Sequence, residues 1–521
     1  MIISDLLAWS ARQWPDKECV VEFDPETDQR KSLTYRQFDQ RVNQVANALL
    51  SSGIKKGDRV LHFMRNRIEW LESYFGVIRI GALVVPLNFR FTEADVTYAA
   101  GVIDPSLAVV EDDLAELLTP MQSAMHHVRK YISIGEKRIE GMENYERFIG
   151  NHPVTSPTAN VTEEDDLGVY FTSGTTGQPK AILYTHKNLY SVAVSNGLSI
   201  PMPAQPNSVI YCPLYHTATF FFWLPCLFKG GKAILLNGFS PHNLLKTIDK
   251  ERGTEVNIPM PHCVEIITAQ QTGQIHISDY DLSSWFLVNT GAQPYPPTVL
   301  RQMVELLPTV GIQHGFGISE GGGATLTRLP PEELLKKPGS VGKTVVMVEA
   351  RVVDEADQPV PPGQLGEFVI KTERIMKEYY KNPEATASAI KNGWLHTGDI
   401  GRMDEDGYFY IVDRKKDVII SGGENIYPAE IENMLATHPK ILESAVIGTP
   451  DKKWGECVTA VVKLKPDQQM TQDEFLEWCR DKFPSYKRPR RVEFGDLPKS
   501  PTNKILKPAL RLRYSGKETA F

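Results

Sequence analysis

Between Tyr170 and His186 the chain reads YFTSGTTGQPKAILYTH, and within it Thr172, Ser173, Gly174, Thr175, Thr176 and Gly177 stand ahead of a single Lys180. Glycines let successive backbone N–H groups converge on one point, hydroxyls add donors, and the lysine adds a point charge. Such a set makes a cradle for an anion, phosphate above all. By composition alone it equally suits a flexible Ser/Gly surface loop. A Walker loop is excluded, because GxxxxGK[ST] is absent from this stretch. The near match KPGSVGKT carries Gly342, Lys343 and Thr344 but has Lys337 where the first glycine must stand.

Further stretches with chemical potential follow in order. They are CPLYHT (Cys212–Thr217), GFGISE (Gly315–Glu320), GWLHTGDIG (Gly393–Gly401), IVDRKKDVIISGGENIYPAEIE (Ile411–Glu432) and LPKSPTNKILKPALR, which holds Lys504. Together with the glycine-rich stretch they resemble the motif series of the adenylate-forming superfamily: acyl-CoA synthetases, luciferases and peptide-synthetase adenylation domains. The resemblance spans essentially the whole chain. It implies an AMP-forming acyl-CoA synthetase that uses ATP, Mg²⁺ and coenzyme A, makes an acyl-adenylate and pyrophosphate, and then an acyl-CoA and AMP.

The same resemblance assigns roles. Thr172 to Gly177 with Lys180 would hold the β- and γ-phosphates, and Glu320 would hold Mg²⁺ against them. Gly291, Ala292 and Gln293 of TGAQP, with Phe316 and Gly317, would line the adenine; Phe316 stands in place of the usual Tyr, keeping a stacking ring without its hydroxyl. Ser319 replaces Thr and keeps a hydroxyl for phosphate. Asp399 would take the ribose hydroxyls, with Arg414 at ribose or phosphate. Lys504 is the catalytic candidate, bridging the carboxylate and the α-phosphate as charge develops; Asn503 precedes it where a glycine is usual. His216 would gate the carboxylate site, although a histidine beside Tyr215 and Phe220 also suits a satisfied core position. Thr217, Ala218, Gly315 and Gly322 would surround the acyl group, the three glycines of SEGGGA leaving room.

From Asp481 to Arg513 there are ten Lys or Arg against three Asp or Glu, a run that ordinarily means a solvated face. Here SYKRPRR resembles the surface meeting the nucleotide of coenzyme A, with Tyr486 as a ring and Arg488 and Arg490 as phosphate donors. Trp454 is a further stacking candidate, and Gly423 would let the pantetheine arm pass close to backbone. Lys416 matches the family's hinge, about which the small domain rotates between half-reactions.

No charge in the acyl set invites a polar head group, so an apolar acid is expected: a medium- or long-chain fatty acid first, an aryl or alicyclic acid as the alternative. A stand-alone adenylation enzyme loading a carrier protein is a more distant reading. It would normally place Asp in the acyl motif, where His216 and Thr217 stand, and the chain shows no carrier segment. A nucleotide sensor without chemistry would not need Lys504 beside Lys180, Glu320, Asp399 and Arg414.

The elements that must position these residues alternate. Thr34 and Gln37 have capping-box spacing before Phe38, Val42, Val45, Ala46 and Leu49; then GDRVLHF reads as a strand, Ile68–Ile78 as a helix and GALVVPL as a buried strand. Repeated βα order predicts an α/β fold with parallel sheets covered by helices over residues 1–413, and the resemblance implies a β-structured subdomain within it. The charged DRKKD is expected outside any core, so a hinge is placed at 414–417. A small mobile α+β domain follows over 418–521, with a helix at Glu430–Thr437, strands at SAVIGT and CVTAVVKL, and a helix capped by Thr471 and Glu474.

Bulk properties set the context. The 521 residues are 41% hydrophobic and 23% charged, with 57 Lys and Arg against 64 Asp and Glu, a net −7. That balance argues against a general nucleic-acid binder. The six cysteines form no CxxC, which fits a reducing cytoplasm. The N-terminus carries Asp5 and no basic leader, the apolar run Phe220–Phe228 is broken by Pro225 and too short to span a bilayer, and the final TAF is no peroxisomal address. A cytoplasmic protein without an integral membrane segment is expected, and homodimer formation is left open.

Overall fold

The computed structural model describes residues 2–118, 122, 125–172, 179–291, 295–323, 326–499 and 505–514. The chain divides into two compact units. One takes the chain up to Thr172, then Lys180–Ala350 and Ile370–Leu395; the other takes Arg351–Val369 and the residues from His396 onward.

The first unit holds two large sheets. In the nine-stranded sheet the order is Lys343–Thr344, Thr327–Leu329, Gly311–Phe316, Leu287–Gly291, Glu255–Asn257, Asn207–Ile210, Lys232–Leu235, Glu18–Asp24, Gln29–Thr34. The strands from Gly311–Phe316 across to Glu18–Asp24 are mutually parallel, and antiparallel strands finish both edges. The eight-stranded sheet runs Glu378–Tyr379, Ala181–Thr185, Asp166–Phe171, Leu83–Pro86, Arg59–Phe63, Leu107–Glu111, Tyr131–Ile134, Glu143–Asn144. Its first two strands are antiparallel to their neighbours, so the glycine-rich stretch joins antiparallel strands, with Phe171 opposite Ala181. Parallel strands buried on both faces read as apolar runs, and here Val84, Val85, Val60, Leu61, Ala108 and Val110 are all wholly buried.

Helix Tyr35–Ser51 begins as its sequence requires. Thr34 Oγ1 accepts from Gln37 N at 3.2 Å, and Gln37 Oε1 accepts from Thr34 N at 2.9 Å. Its apolar stripe, Phe38, Val42, Val45, Ala46 and Leu49, is buried, and burying each such side chain is worth roughly 1.5–3 kcal/mol. Helix Ile68–Arg79 approaches closely because residue 76 is glycine: a Cβ there would lie 2.4 Å from Val45.

The second unit contains most of strands Gly366–Lys371 and Trp394–Met403 and all of Phe409–Arg414, which share one sheet, and a second, five-stranded sheet. The latter runs Glu424–Ile426, Ile419–Ser421, Gly455–Leu464, Ile441–Asp451, with Arg491–Phe494 parallel to Gly455–Leu464. Helices Pro428–Leu435 and Gln472–Lys482 supply a core of Ile431, Leu435, Phe475 and Cys479 over Val446, Val458, Ala460 and Val462. This is the expected α+β arrangement.

DRKKD departs from its expectation. Asp413 and Asp417 are both buried. Asp413 accepts from Ala429 N at 2.7 Å, and Asp417 pairs with Arg511 of helix Lys507–Tyr514 at 2.8 Å. Charge density along the chain had hidden the partners. Among the described residues no helix is long and apolar enough to cross a membrane.

Glu255 offers a test of the core. It is wholly buried and bonds Ser208 Oγ, to which Cys226 Sγ donates at 2.8 Å. Burial pushes its carboxyl from 4.5 up to about 7. The folded value lies above the unfolded one, so this group's contribution is fully present below about pH 4.5 and is lost as pH rises through about 7. Glu255→Gln should therefore resemble the parent near pH 5 and exceed it by up to about 3 kcal/mol near pH 8, read from thermal unfolding at both values.

Candidate active site

Adjacent parallel strands Leu287–Gly291 and Gly311–Phe316 end side by side, with Gly291 opposite Gly315. Ligands of open α/β sheets gather outside such carboxyl ends. The backbones meet so closely that a Cβ on Gly291 would lie 2.6 Å from Gly315 O. Phe316, half-buried, closes the second strand, its N–H donating to Thr327 Oγ1 at 3.3 Å. Below it, Thr290 Oγ1 and His314 Nδ1 are 2.9 Å apart, and burial drives the imidazole down to about 4. The chain then passes Gly317 into a tight turn over Ser319–Gly321.

Four residues on three segments distant in sequence hold that turn. Tyr184 OH donates to Ser319 O, and Thr217 Oγ1 donates to Ser319 Oγ at 3.2 Å. Met376 N donates to Glu320 O at 2.8 Å, while Tyr379 OH donates to Glu320 Oε1 at 2.8 Å. Lys180 Nζ lies 4.6 Å from the centre of the Tyr379 ring. Thr172 N donates to Lys180 O at 2.9 Å, fixing the base of the glycine-rich stretch.

The glycines after Glu320 provide close packing rather than the room expected of them. Gly322 has φ +95°, and a Cβ on it would lie 2.7 Å from Val192. Gly323 has φ +67°, and its Cβ would lie 2.2 Å from Thr217.

His216 is the N-cap of the short turn Thr217–Thr219. Its Nδ1 accepts from Ala218 N at 3.1 Å, which leaves the ring proton on Nε2. His216 is exposed, and desolvation by the surrounding protein holds its pKa below the ordinary imidazole value. His216 is thus a neutral N–H donor, suited to a carboxylate, rather than a core histidine. Ala218 lines an internal cavity of about 10 Å³, enough for one water, with Val209, Ile210, Cys212, Thr219 and Asn257.

The second unit gathers another set. Asp399 and Arg414 face each other across antiparallel strands, and Arg414 Nε meets Asp399 Oδ1 at 2.8 Å. Asp399 is only 3% exposed. Gly422 N donates to Trp454 O at 2.8 Å, and Gly423, at φ +87°, has nothing within 4 Å of where a Cβ would stand. Two cations approach the Trp454 ring, Arg490 at 4.4 Å and Lys453 at 4.8 Å from its centre. Tyr486 is exposed. Arg488 turns inward instead, donating to the carbonyls of Arg480 and Phe483 at 3.1 and 3.2 Å and so serving the end of helix Gln472–Lys482. Lys416 lies in the single turn Lys415–Asp417.

Ser173, Gly174, Thr175, Thr176, Gly177, Ala292, Gln293 and Lys504 lie outside the described residues. On either side of Lys504, Lys499 and Ile505 form an antiparallel bridge. Sequence reading missed Tyr184, Tyr379 and the fully buried Arg374, whose guanidinium donates to Ser195 Oγ at 3.0 Å. A tyrosine ahead of NPEAT carries no local pattern to mark it.

Residues 7–380 match the family model described as AMP-binding enzyme, and residues 430–504 match that of the AMP-binding enzyme C-terminal domain. A feruloyl-CoA synthase from Amycolatopsis sp is 33% identical over 485 residues, covering 93% of this chain and 94% of that relative. The long-chain-fatty-acid–CoA ligase FadD13 of Mycobacterium tuberculosis is 31% identical over 519 residues, covering 98% of this chain and 99% of its own. Among solved structures, the anthranilate CoA ligase AuaEII in complex with anthranoyl-AMP superposes with a TM-score of 0.87 at 27% identity, covering 98% of this chain and 97% of that one.

The glycine packing is testable by itself. Gly323→Ala should cost about 2 kcal/mol or more, because it adds a Cβ where both the backbone angle and Thr217 refuse one. Combining it with Thr217→Gly should restore part of that loss in urea unfolding; strict additivity would deny the contact.

Proposed function

Because this chain belongs to the AMP-binding enzyme family and is an AMP-forming acid–thiol ligase, we propose that its acid is a compact apolar carboxylate, an aryl or arylalkenoic acid. It consumes ATP with Mg²⁺ and coenzyme A. The observation that carries the choice of acid is the turn closed on Thr217, the residue after His216: Gly322 and Gly323 pack against Val192 and Thr217. Next to His216 in the chain, Tyr215 is in edge-to-face contact with Phe89, an aromatic pair suited to a flat acid.

In the first half-reaction a carboxylate oxygen of the acid forms a bond to the α-phosphorus, and the bond from that phosphorus to the β-phosphate's bridging oxygen breaks. His216 Nε2–H holds the carboxylate without adding charge that would blunt its attack. Lys504 neutralises the two approaching anions. Lys180, with the hydroxyls and amides of Thr172 to Gly177, takes the departing pyrophosphate. The site also suits Mg²⁺: Glu320 offers one half-exposed carboxylate, oriented by a phenol, and Mg²⁺ is commonly held by one or two carboxylates together with substrate phosphates. When bound, the ion supplies charge that neutralises the phosphates. Phe316 stacks the adenine, and Asp399, oriented by Arg414, takes the ribose hydroxyls.

In the second half-reaction the thiol sulfur of coenzyme A bonds to the acyl carbon, the bond from that carbon to the phosphate oxygen of AMP breaks, AMP leaves, and the thiol proton passes to solvent. Trp454, Tyr486 and Arg490 meet the nucleotide of coenzyme A, and Gly423 leaves space for its arm. Rotation at Lys416, within a hinge at 414–417, exchanges the two arrangements. All six cysteines are free thiols, which suits a cytoplasmic setting.

The relative named for long-chain acids supports a second reading, a medium- or long-chain fatty acid. A panel of benzoic, cinnamic and hydroxycinnamic acids against fatty acids of increasing length, read by AMP formation, separates them. Aryl acids should exceed hexadecanoate by at least about tenfold in kcat/KM, the scale on which shape discriminates apolar groups. The reverse order would establish the fatty-acid reading. Lys504→Ala should slow adenylation by about 10²–10³ while sparing thioester formation from supplied acyl-AMP. Lys416→Pro should show the opposite split in single-turnover assays, slowing thioester formation more than adenylation.

A further inference from the structure

We propose that Tyr379 is a positioning residue for the phosphate end of the site, holding Glu320 with its hydroxyl and Lys180 with its ring. The inference rests on the reading that Lys180 and Glu320 serve the nucleotide phosphates and Mg²⁺. Strand pairing sets the geometry. Tyr379 is opposite Ile182 and Glu378 opposite Leu183, antiparallel. Lys180 precedes Ile182 by two residues, so it lies on the same face and diagonal to the ring. Lys377 N donates to Leu183 O at 2.9 Å and Tyr380 N to Ala181 O at 2.8 Å, so the segment cannot slide without losing its ladder. The same segment reaches Glu320 twice, through Met376 N to the carbonyl and through Tyr379 OH to the carboxylate, each at 2.8 Å.

Tyr379 is only 6% exposed, a fixed body rather than a swinging side chain. Its ring separates a cation from a carboxylate on neighbouring elements. A direct Lys180–Glu320 ion pair would have to break before phosphate or metal could bind. A ring face attracts an ammonium weakly, and Lys180 is otherwise exposed, so phosphate draws it away at little cost. The phenol bond to Glu320 is charge-assisted and holds one carboxylate oxygen in a set direction.

Tyr379→Phe keeps the ring and loses the hydroxyl; Tyr379→Leu loses both. ATP binding without acid or coenzyme A, measured calorimetrically in EDTA and in Mg²⁺, separates the two functions. For Tyr379→Phe the Kd in EDTA should stay within about twofold of the parent, while the Kd in Mg²⁺ rises about fivefold or more as the carboxylate loses its direction. Tyr379→Leu should weaken binding in both conditions. Glu320→Gln should remove the Mg²⁺ advantage and make Tyr379→Phe silent when added to it. If Tyr379→Phe keeps the parent's Mg²⁺ advantage, or if Glu320→Gln leaves its effect intact, the positioning role is overturned while the ligase reading stands. If the parent binds no ATP in either condition, the ligase reading fails and takes this proposal with it.

Discussion

The turn from Ser319 to Gly323 is the constraint on which the first unit's candidate site depends. It has little side-chain bulk of its own, and its shape is imposed by bonds from elements before and after it in the chain: Tyr184, Thr217 and Met376. Glycine is obligatory where the turn meets Val192 and Thr217, since a Cβ would overlap both. The position of Glu320 is thereby decided by backbone packing, and its carboxylate direction by one phenol. Removing any one anchor loosens the turn at a single point; the others still define its path.

The second unit solves a different problem. It buries acids and supplies a cation to each. Glu432 accepts from Val446 N at 2.6 Å and meets Lys507 at 2.8 Å. Burial raises the carboxyls of Glu432 and Asp413, and Lys507 opposes the rise in both. Such pairs are costly to desolvate and costly to break singly, so they contribute more to a defined geometry than to net stability.

What could be read beforehand depended on how far each signal reaches along the chain. The capping box at Thr34 and the apolar runs at Val60 and Val84 are local patterns, and local patterns survive into the fold. The antiparallel edge that places Tyr379 beside Lys180 joins residues about 200 apart, and nothing in either segment announces the other. DRKKD misled for the same reason: Asp413 and Asp417 look solvated until Ala429 and Arg511 arrive from elsewhere. Arg488 looked like its neighbour Arg490 by type and spacing, yet one serves a helix end and the other a tryptophan face. Glycines after Glu320 read as empty space, when their missing side chains are what admits Thr217 and Val192.

The pairing of Asp417 with Arg511 gives the tail a mechanical character. Helix Lys507–Tyr514 follows Lys504 closely and is riveted at both ends of its first turns, by Lys507 to Glu432 and by Arg511 to Asp417. Asp417 is the residue immediately after Lys416. The turn Lys415–Asp417 and helix Lys507–Tyr514 are thus tied by a paired charge rather than only through the chain that runs between them.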